Sequence, residues 1–250
     1  MRTGTDTGAS PVEDPVVGVG SLGRIEALVF DVVGTLVDEV GSLRREMCEA
    51  FAAHGLDEGP AQSVADHWRA RCHEEFSAVA DGRRDWAPET RLRRELLPGA
   101  LAAHGLELPD AALDRLGHAG GRLTPWPEVP EQLGVLAARV LVTALSNADL
   151  ARIAEISARG GLCWHAVLST ELAHTFKPAP AAYRLPTGLL GLDPRRTLFV
   201  SAHPWDLRGA AAHGYRTALL PRTHAEAPRP GRGPDLTLGS LDELALVLAP

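Results

Sequence analysis

Residues 25–38 read IEALVFDVVGTLVD: a short, nearly continuous apolar run from Ile25 to Phe30, then Asp31, then Gly34-Thr35. A strand covered on both faces has no polar alternation, so an apolar run of this length ended by a carboxylate and a glycine predicts a buried parallel strand entering a loop. Asp31 is expected there as an exposed carboxylate held at a turn. Taken alone, Asp-x-x-Gly fits a loop cap or a plain turn equally well. Other segments of the chain have to decide between these.

Strand-like runs recur at 140–146 (VLVTALS), 165–169 (HAVLS), 197–201 (TLFVS) and 216–220 (RTALL), with helical segments at 130–138, 149–159, 179–190 and 206–214. Strand alternating with helix predicts an α/β fold with a doubly wound parallel sheet. Between the first two strands lie about a hundred residues that read as wholly helical, near 42–54, 61–80, 89–104 and 110–120. HGLDEGP at 54–60 and HGLELPD at 104–110 punctuate this stretch, and PWPEVP at 125–130 marks the return to the core. The expected organisation is a core of residues 23–41 and 125–250, an inserted helical cap at 42–124, and a flexible tail at 1–22.

The 250 residues are 45% hydrophobic, enough to bury a substantial core. A formal charge of -7 argues against a broad nucleic-acid surface. The Arg-Arg pairs at 44–45, 83–84, 93–94 and 195–196 read as solvated helix faces. No apolar stretch reaches the roughly 18 residues of a membrane span, and MRTGTDTGASPVEDPVVGVG lacks the basic-then-apolar order of a secretory signal. Cys48, Cys72 and Cys163 are scattered and in no metal-ligand spacing, which predicts reduced thiols in a cytoplasmic protein. APRPGRGPD at 227–235 reads as a late surface loop.

Open α/β sheets bind ligands outside the carboxyl ends of their strands. Residues at those ends are Asp31 with Thr35, Ser146-Asn147, Lys177 in the loop beyond the third strand, and Ser201 with His203 and Asp206. Asp31 offers a carboxylate nucleophile. Lys177 offers a cation that favours its ionised form, or else a surface lysine before a proline. Ser146 and Asn147 precede a helix expected near Ala148, whose free N–H groups attract an anion; as N-caps they would do only local work. Asp206 caps a helix or fixes Ser201 or Lys177.

The order Asp-x-x-Gly-Thr-Leu, Ser-Asn, Lys-Pro and Ser-x-x-x-x-Asp resembles the haloacid dehalogenase superfamily over roughly residues 24–249. Many members are phosphatases with a second aspartate two positions after the nucleophile and magnesium held by that loop and an acidic fourth motif. Here Val33 takes that place and VSAHPWD offers one carboxylate, poor provision for a hard cation. The departures resemble instead the type II L-2-haloacid dehalogenase branch. Lys177 is followed six positions later by Tyr183; Ser201, His203, Trp205 and Asp206 are similar to the branch's Ser-x-Asn-x-Trp-Asp; Trp68-Arg69 is similar to its cap Trp-Arg pair.

The resemblance implies that Asp31 attacks C2 of a small 2-haloacid, halide departs, and water cleaves the resulting ester. It also implies that Arg69 receives the halide, that Ser146 and Asn147 hold the substrate carboxylate, that Tyr183, His203 and Trp205 stand beside the substrate, and that Thr35, Lys177, Tyr183, Ser201 and Asp206 support the nucleophile and its water. No cofactor and no metal are implied; the partner is a small carboxylate, and the family suggests a homodimer. His203 for Asn and Val33 for an aromatic residue depart from the branch, and His203 is read as a neutral hydrogen-bonding side chain. Pro186 is expected to kink its helix. His54, His104 and His213 read as helix C-terminal residues. A phosphoryl hydrolase and a non-catalytic ligand-binding protein of the same fold remain as alternatives.

Overall fold

The computed structural model describes residues 23–223 and 233–248, so the expected tail and most of the APRPGRGPD loop lie outside the described residues. Strand β1 (Ala27–Phe30) is buried at every position, as its unbroken apolar run requires. The chain then makes the two-residue strand β2 (Val37–Asp38) and four helices, α1 (Glu39–Ala53), α2 (Ala61–Ala80), α3 (Glu89–Ala102) and α4 (Asp110–Gly117). Helix α1 begins ahead of the expected residue 42 because the Asp38 carboxylate accepts the Gly41 N–H at 2.9 Å, capping the first turn. Strand β3 (Thr124–Pro125) pairs antiparallel with β2 and clips the entry of the helical stretch to its exit. Nothing in the sequence predicts that clip, since two-residue strands carry no periodicity.

The second half supplies α5 (Val129–Ala137), β4 (Leu141–Ser146), α6 (Leu150–Gly160), β5 (Ala166–Ser169), α7 (Pro180–Tyr183), α8 (Leu185–Leu190), β6 (Thr197–Ser201), α9 (Pro204–Ala212), β7 (Arg216–Leu219), β8 (Leu236–Thr237) and α10 (Leu241–Val247). The helix expected over 179–190 is two helices broken at Arg184, with Pro186 in the first turn of the second. Proline has no N–H to donate and its ring crowds the carbonyl four residues back, so the helix restarts instead of kinking. Helix α10 is not among the expected helices, although Ser240 and Glu243 carry its signal: the Ser240 hydroxyl accepts the Glu243 N–H at 3.3 Å.

Among the described residues, six strands form one parallel sheet in the order β5-β4-β1-β6-β7-β8. From β1 the chain winds outward to β4 and β5 on one side, then crosses to β6, β7 and β8 on the other, so the topological switch lies at the carboxyl end of β1. Phe30 pairs with Ala144 on β4 and Val200 on β6, which brings Asp31, Ser146 and Ser201 to one edge of the sheet. The helices between β2 and β3 pack in sequence, α1 on α2, α2 on α3 and α3 on α4. No helix among the described residues is long and apolar enough to cross a membrane.

Candidate active site

Asp31 continues the β1 ladder, donating its N–H to the Val200 carbonyl at 3.0 Å, and its side chain is 6% exposed. The expectation of an exposed carboxylate is therefore corrected: the turn buries it. Burial is tolerated because both oxygens have donors. Oδ2 accepts the Thr35 hydroxyl at 2.5 Å, and Oδ1 accepts the Lys177 ammonium at 2.8 Å. Gly34 makes the turn at φ +81°, a conformation that side chains resist, and a Cβ there would also stand 2.8 Å from the His203 ring.

Lys177 is the hub. Its Nζ donates to Asp31 Oδ1, to Asp206 Oδ2 at 2.6 Å and to the Leu145 carbonyl at 3.1 Å, so all three of its N–H groups are spent. Burial pulls its pKa down, but Asp206 and Asp31 outweigh that and hold it above 10.5, so the ammonium is a permanent cation. Asp206 Oδ1 accepts the Tyr183 hydroxyl at 2.8 Å. Burial, with the Asp206 carboxylate beside it, pushes the Tyr183 phenol far above its ordinary value, so it stays a donor. Thr35 closes the ring: its Oγ1 accepts the Ala202 N–H at 2.9 Å while donating to Asp31.

A Cβ on Gly209 of α9 would overlap the Tyr183 phenol, which explains a glycine inside a helix. Gly209→Ala is expected to destabilise the protein by about 1–3 kcal/mol through overpacking, read as a lower denaturant midpoint. Because Tyr183 would lose its place on Asp206, turnover should fall as well.

A cavity of about 290 Å³ opens above Asp31 and is bordered on the core side by Val33, Ser146, Asn147, Lys177, His203 and Trp205. The Val33 carbonyl can only accept, so His203 Nε2, 3.0 Å away, carries a proton and the imidazole ring is fixed by it. That Nε2 lies 3.7 Å from Asp31 Oδ2, and the ring stacks on Trp205 with centroids 5.7 Å apart. The roof comes from the helical segment: Glu39 of α1, His73, Phe76 and Ser77 of α2, and Glu89 and Arg93 of α3. Arg93 Nη2 donates to Glu39 Oε1 at 2.7 Å, and its Nε donates to Glu89 Oε1. Burial disfavours the Arg93 charge, yet Glu89 and Glu39 overcome it and hold its pKa well above the ordinary value. Partial desolvation of the His73 ring, which keeps an exposed face, lowers its pKa from the ordinary value.

These donors do not suit a divalent cation. The Lys177 ammonium fills the space between Asp31 and Asp206, Val33 stands where a second acid would, and no three His, Cys, Asp or Glu side chains converge as a metal site among the described residues.

A family model described as haloacid dehalogenase-like hydrolase matches residues 25–214. The chain belongs to the haloacid dehalogenase-like hydrolase family. It is 32% identical over 205 residues to an (S)-2-haloacid dehalogenase of Xanthobacter autotrophicus, covering 81% of this chain and 78% of that one. Among solved structures, it superposes on a defluorinating L-2-haloacid dehalogenase with a TM-score of 0.83 at 28% identity, covering 90% of this chain and 95% of the other. It also superposes on the L-2-haloacid dehalogenase of Xanthobacter autotrophicus with chloropropionic acid covalently bound, with a TM-score of 0.74 at 26% identity over 90% and 98% of the two chains.

Of the residues singled out in the sequence, this family member brings Asp31, Thr35, Lys177, Tyr183 and Asp206 into one hydrogen-bonded cluster. Ser146, Asn147, His203 and Trp205 border the cavity. Ser201 lies beneath it, its hydroxyl accepting the His203 N–H at 3.1 Å, so Asp206 fixes Lys177 and not Ser201. Tyr183 is fully buried behind Asp206 and does not border the cavity, contrary to its expected place on the substrate. Asn147 spends its carboxamide on the Lys177 loop, Oδ1 accepting the Lys177 N–H at 2.7 Å. Helix α6 begins at Leu150, not near Ala148, and the Leu150 N–H is already taken by the Glu171 carboxylate at 2.9 Å.

Arg69 is not brought to the cavity wall. Its side chain is 30% exposed and its Nη2 faces Asp66 at 3.6 Å. Its neighbour Trp68 is buried and donates its indole N–H to the Arg93 carbonyl at 2.9 Å. The roof residues Glu39, His73, Glu89 and Arg93 are not among the candidates that the sequence offers. An Arg-Arg pair predicts a solvated face, yet Arg93 is 3% exposed. Glu89 and Arg93 stand at helical i, i+4 spacing, a signal that a solvated pair would give equally.

Proposed function

We propose that this chain is a hydrolytic 2-haloacid dehalogenase working through a covalent ester of Asp31, with residues 42–124 as the cap over the site. The observation that carries this reading is a buried carboxylate whose neighbours are Thr35 and Lys177, at the floor of a cavity, with no second acid at Val33. An Asp31 oxygen attacks C2 of the haloacid; the C–O bond forms as the carbon–halogen bond breaks, and the electron pair leaves with the halide. Water then adds to the Asp31 ester carbon, the acyl C–O bond breaks, and a 2-hydroxy acid departs. His203, pinned 3.7 Å from Asp31, sits where that water would be positioned. The covalently bound chloropropionic acid of the Xanthobacter relative supports the ester route. Since Lys177 supplies the charge that a metal would otherwise supply between the two carboxylates, the reaction is read as cofactor-independent.

The test is an assay of chelator-treated protein with each enantiomer of 2-chloropropionate beside a generic phosphate ester. Chloride release from the (S) enantiomer that survives chelation is expected. Chelator-sensitive phosphate release without chloride release would overturn the reading in favour of a phosphoryl hydrolase.

A further inference from the structure

The two walls of the cavity over Asp31 differ in kind. In the floor, Asp31, Thr35, Lys177, Tyr183 and Asp206 spend their polar atoms on one another. The roof carries a buried ion triad, Glu39–Arg93–Glu89, all three members of which border the cavity. Helix α3 holds two of them in place, because the Asp149 carboxylate of the core accepts the Glu89 N–H at 2.7 Å and the Thr90 N–H at 2.9 Å. Two atoms of the triad are left over. Arg93 Nη1, a donor, and Glu89 Oε2, an acceptor, are enclosed without a hydrogen-bond partner among the described residues. Other side chains carry enclosed, unpartnered atoms, Arg69 Nε among them, but of these only Arg93 and Glu89 border the cavity. Burial raises the Glu89 pKa against the pull of Arg93, as befits a carboxylate short of donors. Buried charged groups with unmade hydrogen bonds are costly, so a spare donor and a spare acceptor in one wall call for a ligand group that answers both.

We infer that the cavity takes a 2-haloacid bearing a hydroxyl beyond C2, which accepts a hydrogen bond from Arg93 Nη1 and donates one to Glu89 Oε2. The inference rests on the dehalogenase reading above and names the substrate class of that same site. The roof holds charges of both signs, which selects a neutral substituent. A second carboxylate there would face Glu39 and Glu89, and an ammonium would face Arg93. An alkyl group would exclude water from the roof and leave both atoms unpaired. The cavity, at about 290 Å³, also has more room than a three-carbon acid fills.

The experiment measures kcat/KM for chloride release by the full chain from (S)-2-chloro-3-hydroxypropionate, from its isostere (S)-2-chlorobutyrate and from (S)-2-chlorosuccinate. A site built to hydrogen-bond a substrate hydroxyl strongly rejects the analogue lacking it, so the hydroxy acid should be preferred to chlorobutyrate by about 10²-fold or more. Chlorosuccinate should be the poorest of the three. Glu89→Gln replaces the spare acceptor by a donor and should cut the preference by about tenfold, while turnover of chlorobutyrate changes far less. Because every substrate loses chloride, a fault in halide departure or in folding would lower all three together and leave their ratios alone. Replacing the triad as a unit, Glu39→Leu/Glu89→Met/Arg93→Met, leaves no unpaired charge in the roof and should turn the preference toward chlorobutyrate. Should neither variant fold, the wild-type ratios decide. A wild-type ratio at or below one, the result if water alone answers the two atoms, would overturn the inference alone, as would a preference for chlorosuccinate or a ratio that Glu89→Gln leaves unchanged. A wild-type protein that releases no chloride from any of these acids or from (S)-2-chloropropionate would instead overturn the dehalogenase reading on which it rests.

Discussion

Asp31→Asn should reduce halide release by about 10⁴-fold or more, the scale of loss expected when the nucleophile of a covalent mechanism is removed. The amide keeps the shape and the hydrogen bond from Thr35 but has no anionic oxygen to attack C2. Folding should survive, because Lys177 retains Asp206 and the Leu145 carbonyl as acceptors. The isotope signature separates a nucleophile from a base. In a first turnover in oxygen-18 water, the wild-type product should carry no heavy oxygen, and the label should be found in the Asp31 peptide by mass spectrometry. Label entering the product directly in that turnover would mean that water attacks C2 and Asp31 serves only as a base.

Lys177→Met should cost about 3–5 kcal/mol of stability near neutral pH, the usual penalty for removing one partner of a buried ion cluster. Three acceptors lose their donor at once, and Asp31 and Asp206 are left as like charges out of water. One of the two carboxyls must then take up a proton, so its folded-state pKa rises above its unfolded value. A group shifted that way stabilises the fold below the unfolded pKa and loses that contribution as pH rises through the folded one. The gap between variant and wild type should accordingly narrow on acidification toward the ordinary carboxylate range and widen toward neutrality. Thermal melts across pH check this. A constant gap would mean that Lys177 acts mainly by packing. Halide release should fall steeply as well, because Asp31 loses the ammonium that fixes its carboxylate at the floor of the cavity.

The core half of the site is legible in the amino-acid order. Strands buried on both faces leave an unbroken apolar signature, and the position just past each strand is where a parallel sheet presents its ligand-facing residues. Asp31, Lys177 and Asp206 therefore group together from the sequence alone, and Tyr183 joins them through the family resemblance. Their contacts are less legible: Tyr183 is expected beside substrate and stands behind Asp206, because a loop's exit direction is not encoded in spacing. Helix α6 likewise gives no hint that Glu171, distant in sequence, covers its first N–H.

The half of the site on helices α1 to α3 is illegible for a physical reason. Helical periodicity tells which residues share a face, but not which face of a polar helix turns inward. Arg93-Arg94 exposes one arginine and buries the other, and a Glu89–Arg93 pair has the same spacing whether it is solvated or enclosed. Only the packing of α3 against Trp68 and Glu39 separates the two.

The amino-acid order by itself determined the parallel sheet, the helical insertion after β1 and the single acid at the strand end, because each follows from local periodicity and from Val33 standing where a second carboxylate would. Tertiary structure alone decided that Asp31 is buried, that Lys177 spends every proton it has, and that Arg93 rather than Arg69 reaches the cavity. Those outcomes depend on how separate helices rotate against one another and on which charges find a partner once water is gone, and no stretch of chain carries that information on its own.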